Sequence, residues 1–308
     1  MNSRDLTPLG FRINEDNLKE KLKKSLRHLI YPLYTYFLNI FAKRIIMKDK
    51  LNLFDKIYLN QRGNSYSFHR RRINKYYPIK GKTILILGVG TGNDLMSYVK
   101  YKPKKIICID FFNYSKAWTQ WVNLLNKFKI EIEFHQGEIE NMDFIKSDSI
   151  DIVSSDAVFE HLKNFNSCLE EIYRVIKKGG LLYSTFGPLY YTFGGDHISG
   201  NDSLKNGYNH LMLGEEQYKL YLNSFGEFNH DENDGRTWIN NDQFSKLKPF
   251  DYLDNLNVCG FKREFVSGII EEKAIEFSKK FDKKFKLLLK SHPYLALIIT
   301  GMTIIYKK

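Results

Sequence analysis

The feature that most limits the fold is a change of pattern at Lys82. A short, mostly apolar run, Thr83–Leu87 (TILIL), passes directly into Gly88-Val89-Gly90-Thr91-Gly92-Asn93-Asp94. A run of that length suits a strand buried on both faces of a sheet. Glycines at the turn let the backbone double back and approach a ligand closely, and the helix expected next offers free N–H groups. The pattern then recurs. Residues 105–109 (KIICI), 130–135 (IEIEFH), 150–154 (IDIVS) and 181–186 (LLYSTF) read as strands, with helices over 115–128 and 166–176 between them. Such alternation predicts a parallel sheet with helices on both faces. Further strand-like runs occupy 258–266 and 302–306.

Several residues stand where such a sheet collects ligands, at the carboxyl ends of its strands. Asp110 ends the second strand, 18 residues after Gly92. A carboxylate there can accept hydrogen bonds from both hydroxyls of a ribose; a lone strand-end Asp is otherwise a helix cap. After the third strand, Gly137-Glu138-Ile139 offers a polar residue to hold an adenine edge and an apolar one to cover its face. The run SIDIVSSDAVFEHL (149–162) crosses from strand to helix in mid-sheet, which turns Ser155, Asp156 and His161 toward the cleft.

Taken together, Gly88–Gly92, Asp110, Gly137-Glu138, the SIDIVSSDAVFEHL run and the EIYRVIKKGGLLYSTF run resemble, in order and spacing, the class I S-adenosylmethionine-dependent methyltransferases. The resemblance covers about residues 82–187. It implies an α/β, Rossmann-like fold with a mostly parallel central sheet, and S-adenosyl-L-methionine as cofactor. By resemblance, Gly88, Gly90 and Gly92 pass beneath the methionine and ribose, and Asp110 binds the ribose hydroxyls. Glu138 and Ile139 bind adenine, and Asp156 sits beside the methionine end. The family usually carries an acid two positions before the first glycine. Here that position is Ile86, which leaves Asp94 or Asp156 to take its place.

The regular pattern stops after Gly187. Residues 188–250 are rich in Gly, Asn, Tyr and His, and are too long for a connector, so a substrate-covering insertion after the fifth strand is expected. It carries Gly194-Gly195-Asp196-His197-Ile198 and Tyr208-Asn209-His210-Leu211. Methyl transfer to a hydroxyl benefits from a base of near-neutral pKa. His197 or His210 is the candidate base, with Asp196 orienting it. The same residues could ligate a metal, or only hydrogen-bond loop backbone; no metal is expected. Phe186, Tyr190, Tyr191, Phe193 and Tyr208 could stack on a sugar or form the insertion's own core. The acidic stretch 230–235 reads as a solvated turn.

The net charge of +12 is unevenly placed. Residues 1–80 hold 18 basic and 6 acidic groups, whereas residues 81–308 balance at 29 of each. Hence the chain divides into a basic, helical N-terminal extension (1–80) and a neutral methyltransferase domain (81–308). Residues 17–42 start basic and turn apolar around Pro32, a composition suited to a membrane interface. His69-Arg70-Arg71-Arg72 is expected on an exposed polar helix able to meet phosphates. Three scattered cysteines and no apolar leader fit a cytoplasmic protein, peripheral at the inner face of the membrane. The expected reaction is O-methylation of a small molecule or glycan precursor. Alternatives are an RNA methyltransferase, with nucleic acid drawn by the basic segment, and a non-catalytic scaffold.

Overall fold

The computed structural model describes residues 12–13, 64–228 and 234–308. The expectations for 17–42 and for most of the 230–235 turn lie outside them. The chain runs β1 (Arg12–Ile13), α1 (Asn64–Tyr76), β2 (Thr83–Leu87), α2 (Met96–Val99), β3 (Lys105–Asp110), α3 (Ser115–Asn126) and β4 (Glu131–Gln136). It continues through β5 (Ile150–Asp156), α4 (Phe165–Val175) and β6 (Ile176–Phe186). The insertion holds α5 (Asn209–Met212), α6 (Glu215–Asn223) and α7 (Arg236–Asn240). After it come α8 (Pro249–Val258), β7 (Lys262–Ile270), α9 (Glu272–Lys280), α10 (Asp282–Leu288), α11 (Tyr294–Ile298) and β8 (Ile299–Lys307).

The strands form one sheet in the order β1-β7-β8-β6-β5-β2-β3-β4. Strands β2 to β6 pair parallel, and β8 runs antiparallel between β6 and β7. Side chains alternate across a strand, and the two faces feed two separate cores. Leu85, Leu87, Ile107, Ile109, Val153 and Leu182 enter one; Ile84, Ile86, Ile106, Cys108, Ile152, Leu181 and Tyr183 enter the other. This two-sided burial is why the strands read as unbroken apolar runs.

One boundary and one burial differ from the sequence reading. The run 258–266 is not one strand: α8 ends at Val258, and β7 starts at Lys262 with three exposed charged residues. Pairing with β8, rather than alternation of polarity, makes that segment a strand. The arginine-rich stretch is helical in α1, but Arg70 is 0% exposed. Only Arg71 of the three is fully on the surface.

Candidate functional site

The chain leaves β2 toward β3 on one side, while β5 pairs on the other, so the sheet order reverses at β2. Crevices for ligands form at such a switch point. Register sets what meets there. Leu87 pairs with Ile109 on one side and Ser155 on the other. Gly88 therefore emerges between Asp110 and Asp156. A cleft of about 210 Å³ opens here, lined by Ile86, Gly88, Val89, Gly90, Thr91, Asn93, Asp94 and Asp156.

The glycines divide the work. A Cβ on Gly88 would lie 2.1 Å from Val158 Cγ2, and one on Gly92 2.5 Å from Trp121 Nε1. Both are excluded by close packing. Gly90 instead has φ of +51° and nothing within 4 Å of where its Cβ would be. Its backbone faces open cleft. Two indoles spaced three apart on α3 pin the same turn: Trp118 Nε1 donates to Gly90 O at 2.8 Å and Trp121 Nε1 to Thr91 O at 2.7 Å. No sequence motif announced them, although their spacing on one helix face was visible.

Asp110 closes the turn from β3. Its Oδ2 accepts the Gly90 N–H at 2.7 Å and its Oδ1 the Phe112 N–H at 2.9 Å. Each carboxylate oxygen keeps a further lone pair for a ribose hydroxyl. Burial raises the Asp110 carboxyl above its ordinary range, with the Gly90 and Phe112 N–H groups opposing. Glu138 is exposed and Ile139 half-buried just past β4, near the exposed Phe111 that follows Asp110 in sequence.

On the β5 side the structure supplies a residue that the sequence reading placed on the surface. Arg70 reaches from α1 into the buried layer. Its guanidinium pairs with Asp94 at 2.7 Å and with Asp156 Oδ2, donates to Ser97 Oγ at 3.1 Å and to Ser154 Oγ at 3.3 Å, and lies over the Tyr98 ring. Burial works against the charge, but Asp156 and Asp94 more than offset it and raise the Arg70 pKa. Thus Asp94 and Asp156 both line the cleft beside Ile86 and share one counter-ion. Asp156 Oδ1 and Ser155 Oγ are buried without a hydrogen-bond partner among the described residues.

The insertion brings the three polar candidates together but separates their roles. Asp196 Oδ1 accepts the Ile198 and Ser199 N–H groups, and its Oδ2 accepts the hydroxyls of Ser199 and Tyr218. Burial alone would raise its carboxyl, yet His210 and these donors hold it below the ordinary range. The His210 side chain is 0% exposed, with Nε2 on Tyr190 O at 2.8 Å and Nδ1 3.7 Å from Asp196. His210 is thus enclosed between Asp196 and the Tyr190 carbonyl. Phe186, Phe193 and Tyr208 are likewise core, and Tyr208 Oη donates to Leu297 O at 2.6 Å. Asp234 of the acidic stretch is not solvated; it clamps Arg236 at 2.6 Å.

His197 is different. It sits at φ +67°, half-buried, with Nε2 lacking a partner among the described residues. Its ring stacks on His161 at 4.9 Å, His161 stacks on Trp238 at 4.0 Å, and Trp238 meets Phe112 edge-on at 5.8 Å. This column ties the insertion to the ends of β5 and β3. Burial lowers the pKa of His197, and burial with the neighbouring His197 lowers that of His161 to about 4. Among the described residues no group of three or more His, Cys, Asp or Glu side chains converges as a metal site.

The sequence pattern of the family described as "Methyltransferase domain" matches residues 85–184. A malonyl-[acyl-carrier protein] O-methyltransferase of Calditerrivibrio nitroreducens is 28% identical over 146 residues, which are 47% of this chain and 50% of that protein. An uncharacterized protein of Haemophilus influenzae is 26% identical over 46% of this chain and 61% of its own length. The matches thus span about half of the curated relatives. Among solved structures, an S-adenosylmethionine dependent methyltransferase from Mesorhizobium loti shares 11% identity at a TM-score of 0.49, over 80% of this chain and all of the other. Phosphoethanolamine N-methyltransferase 2 of Haemonchus contortus with S-adenosyl-L-methionine shares 14% identity at a TM-score of 0.48, over 79% of this chain and 52% of the other.

Proposed function

We propose, from the match of residues 85–184 to the methyltransferase-domain pattern, that this chain is an S-adenosylmethionine-dependent methyltransferase that O-methylates a small-molecule or glycan-precursor hydroxyl with His197 as base. The residues present fit the cofactor. Gly90 leaves its backbone open to the cleft, and Asp110 retains lone pairs toward a ribose. The unpartnered Asp156 Oδ1 suits a methionine ammonium, in place of an acid at Ile86. Ile139 and Glu138 would flank adenine. Bound there, S-adenosyl-L-methionine supplies a methyl group on an electrophilic sulfonium.

The chain's own residues then align the acceptor and accept its proton. The observation that carries the reading is His197, whose buried Nε2 has no hydrogen-bond partner among the described residues and whose ring stacks on His161 at the end of β5. With an acceptor bound, the hydroxyl proton would pass to this nitrogen as the oxygen takes the methyl group and the carbon–sulfur bond breaks, its electron pair staying on sulfur. Asp196 and His210 act through it by fixing the loop that holds φ at +67°. Alignment supplies much of the rate in such displacements, and a base contributes about 10²–10⁴-fold.

Mass-spectrometric screening with isotopically labelled cofactor against nucleotide sugars, glycans, acyl-carrier-linked acids and RNA identifies the acceptor. With a hydroxyl acceptor, His197→Ala lowers kcat by about 10²-fold or more and leaves cofactor affinity unchanged. A carboxylate acceptor, such as that named for the Calditerrivibrio relative, carries no proton to remove. Unchanged turnover in His197→Ala would therefore replace the hydroxyl reading with that one.

A further inference from the structure

The domain over residues 81–308 has no net charge, yet residues 279–290 (KKFDKKFKLLLK) hold six lysines and one aspartate. The fold keeps this charge together on the surface. Phe285 and Leu288 point inward from α10, while Lys279, Lys280, Lys283, Lys284, Lys286 and Lys290 are all exposed. Lys280 pairs with Glu276 at 2.7 Å and Lys286 with Asp282 at 2.7 Å. Lys279, Lys283 and Lys290 make no ion pair among the described residues. Two leucines stand among them against expectation, Leu287 at 54% and Leu289 at 40% exposure. Spacings of three and four put Lys283, Lys286 and Leu287 on one face of α10, with Leu289 at its C-terminal cap and Lys290 just beyond. A solvated face explains the lysines but not the leucines.

We infer that this surface docks on an anionic lipid bilayer, with the lysines over the headgroups and Leu287 and Leu289 inserted between them. Basic side chains mixed with exposed apolar ones on a helix face have the chemistry of interfacial binding. Beneath the patch, Phe277 packs on Tyr208 at 4.8 Å, and Lys273 lies over Phe193 at 5.8 Å. Docking would hold the insertion, and with it the acceptor side of the cleft, beside the membrane. The inference rests on the surface alone and stands apart from the reading of His197.

The test is flotation of the full chain with vesicles of phosphatidylcholine, with and without phosphatidylglycerol. Binding is expected only with the anionic lipid and should weaken as salt rises. Each lysine near such a surface is worth about fivefold in partitioning. Lys283→Glu, Lys284→Glu and Lys286→Glu together should therefore lower partitioning by at least about tenfold. Arginine at the same three positions should preserve it. Leu287→Ser with Leu289→Ser should lower it by several-fold, even at high salt. Thermal melts of each variant separate lost docking from lost folding. Because residues 1–80 are also basic, Lys21→Glu, Lys23→Glu and Lys24→Glu are made in parallel. Wild-type partitioning by the residue 283–286 variant overturns the inference, and so does failure of the arginine variant. Binding to heparin without binding to vesicles overturns it in favour of an acidic macromolecule.

Discussion

At the scale of single residues, Arg70 decides the most. It occupies one turn of an arginine run that looked uniform in sequence, yet it alone of the run is fully buried. Its two carboxylate partners line the cleft. Breaking a buried ion pair strands the remaining charges and costs about 3–5 kcal/mol. Arg70→Met is therefore expected to lose that much in urea unfolding and to weaken cofactor binding as Asp156 moves. Arg71→Met, a few ångströms along the same helix but exposed, should change neither by more than about 0.5 kcal/mol. Glu160 is a second case. Burial raises its carboxyl to about 8, with the Gly187 N–H opposing. The folded protein thus holds a proton that the unfolded chain releases near 4.5. That contribution to stability is complete below the lower value and declines as pH rises toward 8, at up to about 1.4 kcal/mol per pH unit. Unfolding titrations from pH 5 to 8 should show the decline in the wild type and a flatter profile in Glu160→Gln.

At the scale of elements, the glycine turn behaves as three sites rather than one motif. Gly92→Ala drives a methyl into Trp121 and Leu95, and overpacking of this kind costs about 1–3 kcal/mol. At Gly90 the space is free, so the substitution costs only the strain of a positive φ, about 1–2 kcal/mol, but its methyl enters the cleft. The expected split is Gly92→Ala with a lowered melting temperature, and Gly90→Ala with a nearly normal fold and cofactor affinity reduced more than tenfold. Calorimetry and thermal melts on the pair would read it; equal effects in both would mean that the open side of Gly90 is not where the cofactor passes. The elements that sequence made legible are those buried on both faces, β2, β3 and β5, because their periodicity carries no polar interruption. β7 was misplaced since its first half is edge-like and charged, and its identity comes from pairing with β8.

At the scale of the whole molecule, the cleft is a joint product of β2, its glycine turn and β5, braced by Asp110 of β3 and Arg70 of α1. A ligand that binds only the folded state stabilises it by about 2.7 kcal/mol at a hundredfold excess over Kd. S-adenosyl-L-methionine should accordingly raise the melting temperature of the wild type by several degrees. Asp110→Ala, which removes a charged acceptor worth about 1.5–3 kcal/mol, should show a much smaller rise at the same concentration. No helix among the described residues is long and apolar enough to cross a membrane.

The amino-acid order by itself determined the parallel core, the Gly88–Gly92 turn and the place of Asp110, since these follow from local periodicity and from spacing along adjacent strands. It did not determine which polar residues become buried together. Arg70 and Asp156 are separated by 86 positions, and His197 reaches His161 only when the insertion folds back over the sheet. Local patterns tell which faces turn inward; only the packed chain, by excluding water from a particular pair of charges or a particular imidazole, sets which of them are matched and which nitrogen is left without a partner.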